Sequence, residues 1–217
     1  AVHIDIPKCI FNQFQYPYNN KKSFKNMISI SSKNNCDYYD SMKNIANVIL
    51  NSKKPILYVG KGATHVSETI RSISKTYNIP VTTTMHAMGV IDETDELSLK
   101  MCGMHGSEYA NLALQNADCI IALGSRFDDR TTGNVEKYAP HCKNFIHFNI
   151  EPSEINKVVP TNHYIIGDLL HTVDDLHNEL IIRYIDSNSN QNRLDWISKI
   201  KHWKKSRKLT YNLPIVK

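Results

Sequence analysis

Asp118-Cys-Ile-Ile-Ala-Leu-Gly124, continued by Ser-Arg-Phe-Asp-Asp-Arg130, decides the fold of this chain. The apolar run Cys119–Leu123 has the length of a strand buried on both faces, which belongs in a parallel sheet covered by helices. Pro55-Ile-Leu-Tyr-Val-Gly60 has the same form, a short apolar run closed by glycine. Pro80-Val-Thr-Thr-Thr84 is β-branched, and Phe145-Ile-His-Phe-Asn-Ile150 and Tyr164-Ile-Ile-Gly-Asp168 complete the strands read here. Helical spacing lies between them: Tyr38, Met42, Ile45 and Ile49; Val66, Ile70, Ile73 and Tyr77; then Leu169, Leu170, Val173, Leu176 and Leu180. Ser107–Ala117 reads as helix, Glu151–Val158 as a short helix after Pro152, and Met85–His105 as loop. Strands alternating with helices over short connections predict an α/β fold. It is a Rossmann-like parallel sheet of about six strands with helices on both faces.

Outward from this core the composition changes. Residues 1–8 read as a strand entered partway and ending at Pro7, so the chain is expected to be a piece of a longer protein. Residues 11–36 are rich in Asn, Lys, Ser and Tyr, a linker composition on which no structure is forced. The central domain is expected over 37–185. The Ser/Asn-rich stretch 186–193 reads as a second linker. In the segment 186–217, Trp196, Ile200 and Trp203 mark one face of a basic helix that alone would expose two tryptophans, so it is expected to dock elsewhere, on another domain.

The composition bounds the function. With 41% hydrophobic and 22% charged residues in 217, the chain reads as one sizeable globular domain with flanking pieces. No apolar run approaches the ~20 residues that cross a bilayer, so no membrane partner is expected. Much of the net charge of +5 sits at the margins, in Lys21, Lys22, Lys25 and Lys199–Lys208. That distribution speaks for solvated linkers and against a nucleic-acid partner. The cysteines Cys9, Cys36, Cys102, Cys119 and Cys142 show neither Cys-x-x-Cys nor zinc spacing, and argue for a reduced compartment.

In an open parallel sheet, ligands bind beyond the carboxyl ends of the strands. Gly60, Thr84, Gly124, Ile150 and Gly167 stand there. Gly60-Lys61-Gly62, opening a helix, is either a phosphate or flavin contact or a tight strand–helix turn. It lacks the third glycine of the dinucleotide fingerprint, with His65 in its place, and is no Walker A loop. Arg126-Phe-Asp-Asp-Arg130 sets two rigid cationic forks around two carboxylates at the binding edge, and so points to phosphate or carboxylate recognition. Asn149 could meet a ribose hydroxyl. Asp168 could accept from a ligand or cap the helix that follows, and His105 lies between glycines in a loop. His171 and His177 are six apart, off one helix face, and make no metal site.

Three strings together resemble a known family. They are Pro80-Val-Thr-Thr-Thr84, Leu97-Ser-Leu-Lys-Met-Cys-Gly-Met-His-Gly106, and Ala117-Asp118 through Gly124-Ser-Arg-Phe-Asp-Asp-Arg-Thr-Thr-Gly133, with Asn156-Lys-Val-Val159 in support. They resemble the central FAD-binding domain of acetolactate (acetohydroxyacid) synthase catalytic subunits, over roughly Asp40–Leu180. Val2–Lys8 resembles the end of the preceding pyrimidine-binding domain, so 1–10 reads as its remnant.

The resemblance implies an extended FAD across the strand ends. Gly60, Lys61 and Gly62 would lie by the adenosine–diphosphate portion. Thr84, Met85, His86, Gly103, Met104 and His105 would line the flavin side. Gly124, Ser125, Arg126, Asp128 and Arg130 would wrap the centre, and Asn149, Ile150, Gly167 and Asp168 the adenosine end. Met104, Asp129 and Arg130 would border the substrate channel. It implies thiamine diphosphate and Mg²⁺ held by two other domains, no metal site and no catalytic residue in this chain, and FAD without net redox work. The implied substrates are pyruvate and 2-ketobutyrate, in branched-chain amino acid biosynthesis. The implied assembly is a homodimer or homotetramer, with a regulatory subunit as a further partner. The compartment would be the plastid or mitochondrion of a eukaryote or the cytoplasm of a bacterium. The family usually carries Asp or Glu where Asn149 stands. Competing readings are glyoxylate carboligase, a pyruvate oxidase relative, or a free-standing nucleotide-binding module.

Overall fold

The computed structural model describes residues 36–184 and 193–207; the expectations for 1–10, 11–35 and most of 186–193 lie outside the described residues. The elements run α1 (Cys36–Asn51), β1 (Pro55–Val59), α2 (Ser67–Tyr77), β2 (Val81–Thr83), β3 (Ser98–Met101), α3 (Glu108–Asn116), β4 (Cys119–Leu123), α4 (Asp129–Thr132), β5 (Asn144–Asn149), β6 (His163–Ile166), α5 (Leu169–Tyr184) and α6 (Leu194–Ser206). A 3-10 segment, Lys61–Val66, leads into α2.

The six strands form one parallel sheet in the order β3-β2-β1-β4-β5-β6. β1 and β4 pair at its centre from Pro55↔Cys119 to Val59↔Leu123. Successive residues of a strand point to opposite faces, so each strand feeds two cores. Leu57, Val59, Ile121, Leu123 and Phe148 pack against α1, α2 and α5; Ile56, Tyr58, Ile120 and Ala122 pack on the side of α3 and α6. The central strands are buried on both sides, and the predicted architecture is the one observed.

Three expectations differ. The stretch read as loop over Met85–His105 contains β3, an edge strand whose pairing with β2 shifts register and whose Lys100 has φ +60. A four-residue strand with one positive φ gives no period-2 signal to read. Over Glu151–Val158 only a 3-10 turn at Pro152–Glu154 forms, and Asn156 at φ +57 departs from helical backbone.

The third difference is α6. Its tryptophans face this domain: Trp196 and Ile200 are buried in the core on the α3 side, and the Trp196 indole N–H donates to Pro55 O at 3.3 Å. Arg193, read as linker, is fully buried. Its guanidinium donates to the carbonyls of Ile49, Leu50 and Ser52 at the end of α1 and of Tyr77 at the end of α2. The last turn of α1 carries no basic residue of its own, so Arg193 supplies the cation that a helix C-terminus favours. At the other end of α6, the Lys204 ammonium donates to Asp95 O, Glu96 O and Ser98 O at 3.1, 3.0 and 2.9 Å.

Candidate functional site

The chain order turns outward in both directions from β1 and β4, and a crevice opens beyond their carboxyl ends. There the two backbones touch. A methyl on Gly60 would stand 2.3 Å from Gly124 O, and one on Gly124, at φ +58, would stand 2.7 Å from the Gly62 backbone. Only glycine permits this crossing, which places bare backbone under the crevice. The amides at the crossing are engaged within the protein: Gly60 N donates to Leu123 O at 2.8 Å, Gly62 N to Gly124 O at 3.1 Å and Ala63 N to Gly60 O at 3.1 Å. What the glycines of Gly60-Lys61-Gly62 give here is close approach of backbone, in a tight strand–helix turn at the edge of the crevice.

A cleft of about 790 Å³ runs along this edge from β3 to β5. It is lined by Gly60, Lys61 and Gly62 after β1, Thr84, Met85 and His86 after β2, and Met104 and His105 after β3; Gly124, Ser125, Arg126, Asp128 and Arg130 follow β4, and Asn149 ends β5. These are predicted positions brought together from five strands. The rest lie apart. Gly103 packs behind the cleft, where an added methyl would meet Arg130 O at 2.5 Å. Asp129 borders a separate depression with Gly103, Met104 and Arg130. Ile150 is 63% exposed past the end of β5. Gly167 and Asp168 lie past the end of β6, outside the lining. Asp168 accepts from Leu170 N at 2.9 Å, the capping alternative, and pairs with His65 at 3.5 Å. These contacts hold its carboxyl below its ordinary pKa, the Leu170 amide most strongly.

The loop after β4 forms the long wall. Phe127, buried at φ +52, drops into an aromatic box of Tyr58, Tyr138 and His147, with ring centroids 5.3, 6.2 and 5.2 Å away. Burying the phenyl turns its neighbours Arg126 and Asp128 outward, where both are exposed. Asp128 then caps α4, accepting from Thr131 N at 3.2 Å and Thr131 Oγ1 at 3.1 Å. The wall is tied back to β3 by Met104 N donating to Arg130 O at 2.7 Å, and the Arg130 guanidinium lies 3.8 Å from Met104 Sδ.

His65, Met101, Cys102, Thr131, Glu151 and Glu154 also line the cleft and were not foreseen. Glu151 was within reach, since it stands one residue past a predicted strand end. Cys102 is buried and its pKa is pushed up to about 11 by that burial, so its thiol is inert at neutral pH. Ser125 is 2% exposed and its hydroxyl has no partner among the described residues, as does the buried Thr83 hydroxyl at the end of β2. Lys61, Arg126 and Arg130 thus share the cleft with Asp128, Glu151 and Glu154 over a glycine floor. That arrangement suits an extended ligand with anionic and hydrogen-bonding groups.

The central domain of thiamine pyrophosphate enzymes matches residues 42–176. The chain belongs to that family. Among relatives of this thiamine pyrophosphate enzyme domain, the mitochondrial acetolactate synthase catalytic subunit of Aspergillus candidus is 40% identical over 76% of the chain and 25% of its own length. The acetolactate synthase large subunit of Buchnera aphidicola subsp. Acyrthosiphon pisum is 34% identical over 96% and 36%, and that of Haemophilus influenzae 34% over 97% and 36%. The chain therefore spans about a quarter to a third of the curated relatives it matches. Among the described residues no three His, Cys, Asp or Glu side chains are grouped to hold a metal, and no helix is long and apolar enough to cross a membrane.

Proposed function

We propose that this central domain supplies the FAD site and part of the substrate channel of an acetolactate synthase. The observation that carries the reading is the cleft at the β1/β4 crossing: a glycine floor, an arginine-bearing wall and an unpartnered buried Ser125 hydroxyl. Relatives named acetolactate synthase support the enzyme assignment. The crossing leaves no side chain between the two backbones, which fits a flat or extended cofactor laid against it. In this reading Gly60, Lys61 and Gly62 lie by the diphosphate, and Arg126 and Arg130 balance anionic charge. Ser125 Oγ is free to hydrogen-bond the ligand, and the thioethers of Met85 and Met104 give a soft apolar rim. FAD does no net redox work in the condensation proposed.

The complete enzyme is proposed to join two pyruvates, or pyruvate and 2-ketobutyrate, with loss of CO₂. Thiamine diphosphate and Mg²⁺ would be held by domains other than this one, in a homodimer or homotetramer of catalytic subunits joined by a regulatory subunit. In this chain the tie between Arg130 and Met104 holds a cation at the cleft mouth, a placement that suits a 2-ketoacid carboxylate. Flavin absorbance of the purified chain tests the cofactor. A longer protein with both neighbouring domains, given pyruvate, thiamine diphosphate and Mg²⁺, is expected to make acetolactate; failure to do so rejects the enzyme assignment.

A further inference from the structure

Two side chains at the end of β5 converge on a single backbone oxygen of the cleft wall. His147 Nε2 lies 2.9 Å from Ser125 O, and Asn149 Nδ2 lies 3.0 Å from the same atom. The partners fix the proton positions. A carbonyl can only accept, so His147 carries its proton on Nε2. The Glu151 N–H, 3.0 Å from Asn149 Oδ1, can only donate, so the Asn149 amide must point its nitrogen at Ser125. The 3.3 Å between Asn149 Nδ2 and His147 Nε2 is then two donors meeting at one acceptor. Both lone pairs of the Ser125 carbonyl are filled from β5.

The oxygen they hold belongs to the residue before Arg126. Residues 125–128 have no helix or strand to fix their path. The wall is set by the Phe127 plug, the tie from Met104 to Arg130, and this double clamp. His147 is completely buried and Asn149 is 6% exposed. His147 also closes the aromatic box against Phe127, 5.2 Å away at 81°. An acidic side chain at position 149 has no proton to give to Ser125 O, so the clamp depends on asparagine.

We infer that His147 and Asn149 form a paired positioning device that holds the Ser125 carbonyl, and through it the Arg126–Arg130 wall, in the geometry that receives the cofactor. The inference rests on the proposed flavin site for its ligand readout and on the protein alone for the other.

Three variants of the full chain test it: His147→Gln keeps a donor, His147→Phe keeps ring volume without one, and Asn149→Asp keeps size while replacing the donor by an acceptor. Two measurements apply to each, FAD affinity by flavin fluorescence and amide hydrogen exchange over 125–131, with the β1 and β4 amides as internal reference. We expect His147→Gln to stay within about twofold of the parent, whereas His147→Phe loses about tenfold in FAD affinity. His147→Phe and Asn149→Asp should both exchange about tenfold faster at the wall with β1 and β4 unchanged, the size of one hydrogen bond. If His147→Phe matches the parent while His147→Gln does not, packing and not the donor matters, and the inference is overturned. Unchanged wall exchange in Asn149→Asp overturns it as well. If the parent chain takes up no FAD, the flavin reading fails by itself and the exchange comparison alone decides the clamp.

Discussion

At the scale of single residues, the cleft is made by what is missing as much as by what is present. Gly124→Ala puts a methyl 2.7 Å from the Gly62 backbone at a positive φ. It should lower unfolding stability in denaturant titration by at least about 3 kcal/mol. Asp128→Ala removes the cap of a helix one turn long, and should cost about 1 kcal/mol and loosen Arg130. Arg126→Ala should weaken flavin retention tenfold or more in equilibrium dialysis, the loss expected for a charge-assisted hydrogen bond, while His171→Ala, exposed on α5 and outside the cleft, should not. Equal retention by the two would count against the strand-edge site. The glycines and arginines were legible because strand ends in a parallel sheet announce themselves: an apolar run stops and a flexible or charged residue follows. Phe127 was not, since nothing in Arg-Phe-Asp-Asp-Arg says which residue turns inward; the box of Tyr58, Tyr138 and His147 that receives it comes from three distant segments. Glu154 and His65 are hidden for a similar reason, as both sit a turn beyond their strand ends.

Among the elements, legibility follows burial. β1, β4 and β5 are apolar because both their faces are covered, and a sequence with that property can be read without a partner. β3 has one fully buried large residue, Leu99, and is held by register with β2 that no local pattern encodes. α6 was read correctly as a helix with an apolar face but assigned to the wrong neighbour, because its docking depends on Arg193 meeting carbonyls more than a hundred residues upstream. Burial lowers the Arg193 pKa to about 10, so the guanidinium remains charged at neutral pH. Arg193→Met should leave those carbonyls without a donor and cost about 3 kcal/mol or more, read from denaturant midpoints. Arg193→Lys should recover only part of this, since an ammonium is a point donor and cannot span two helix ends as a guanidinium fork does.

For the whole molecule, stability should fall on acidification. Burial is the leading cause that lowers the pKa of His147, and likewise of His163 and His177. Each therefore binds its proton more readily unfolded than folded. The stability they contribute is complete above the unfolded value near 6.5 and is lost as the pH drops below it. His147, the most deeply buried of the three, should dominate, so thermal melts from pH 7.5 to 5.0 should show a shallower acid limb for His147→Gln than for the parent. A ligand in the cleft would add stability by mass action, and FAD should raise the melting temperature with the logarithm of its free concentration once that exceeds its Kd. The clasp formed by α6 also has a consequence for how the chain is made. Every carbonyl that Arg193 holds, and the Pro55 oxygen that Trp196 holds, lies before residue 78, whereas the donors are synthesised well over a hundred residues later. During translation, the carbonyl ends of α1 and α2 and the part of the α3-side core that Trp196 and Ile200 cover must wait until α6 has left the ribosome. A chain released at Tyr184 would carry its complete sheet and cleft and still be exposed to chaperones along that unfinished face.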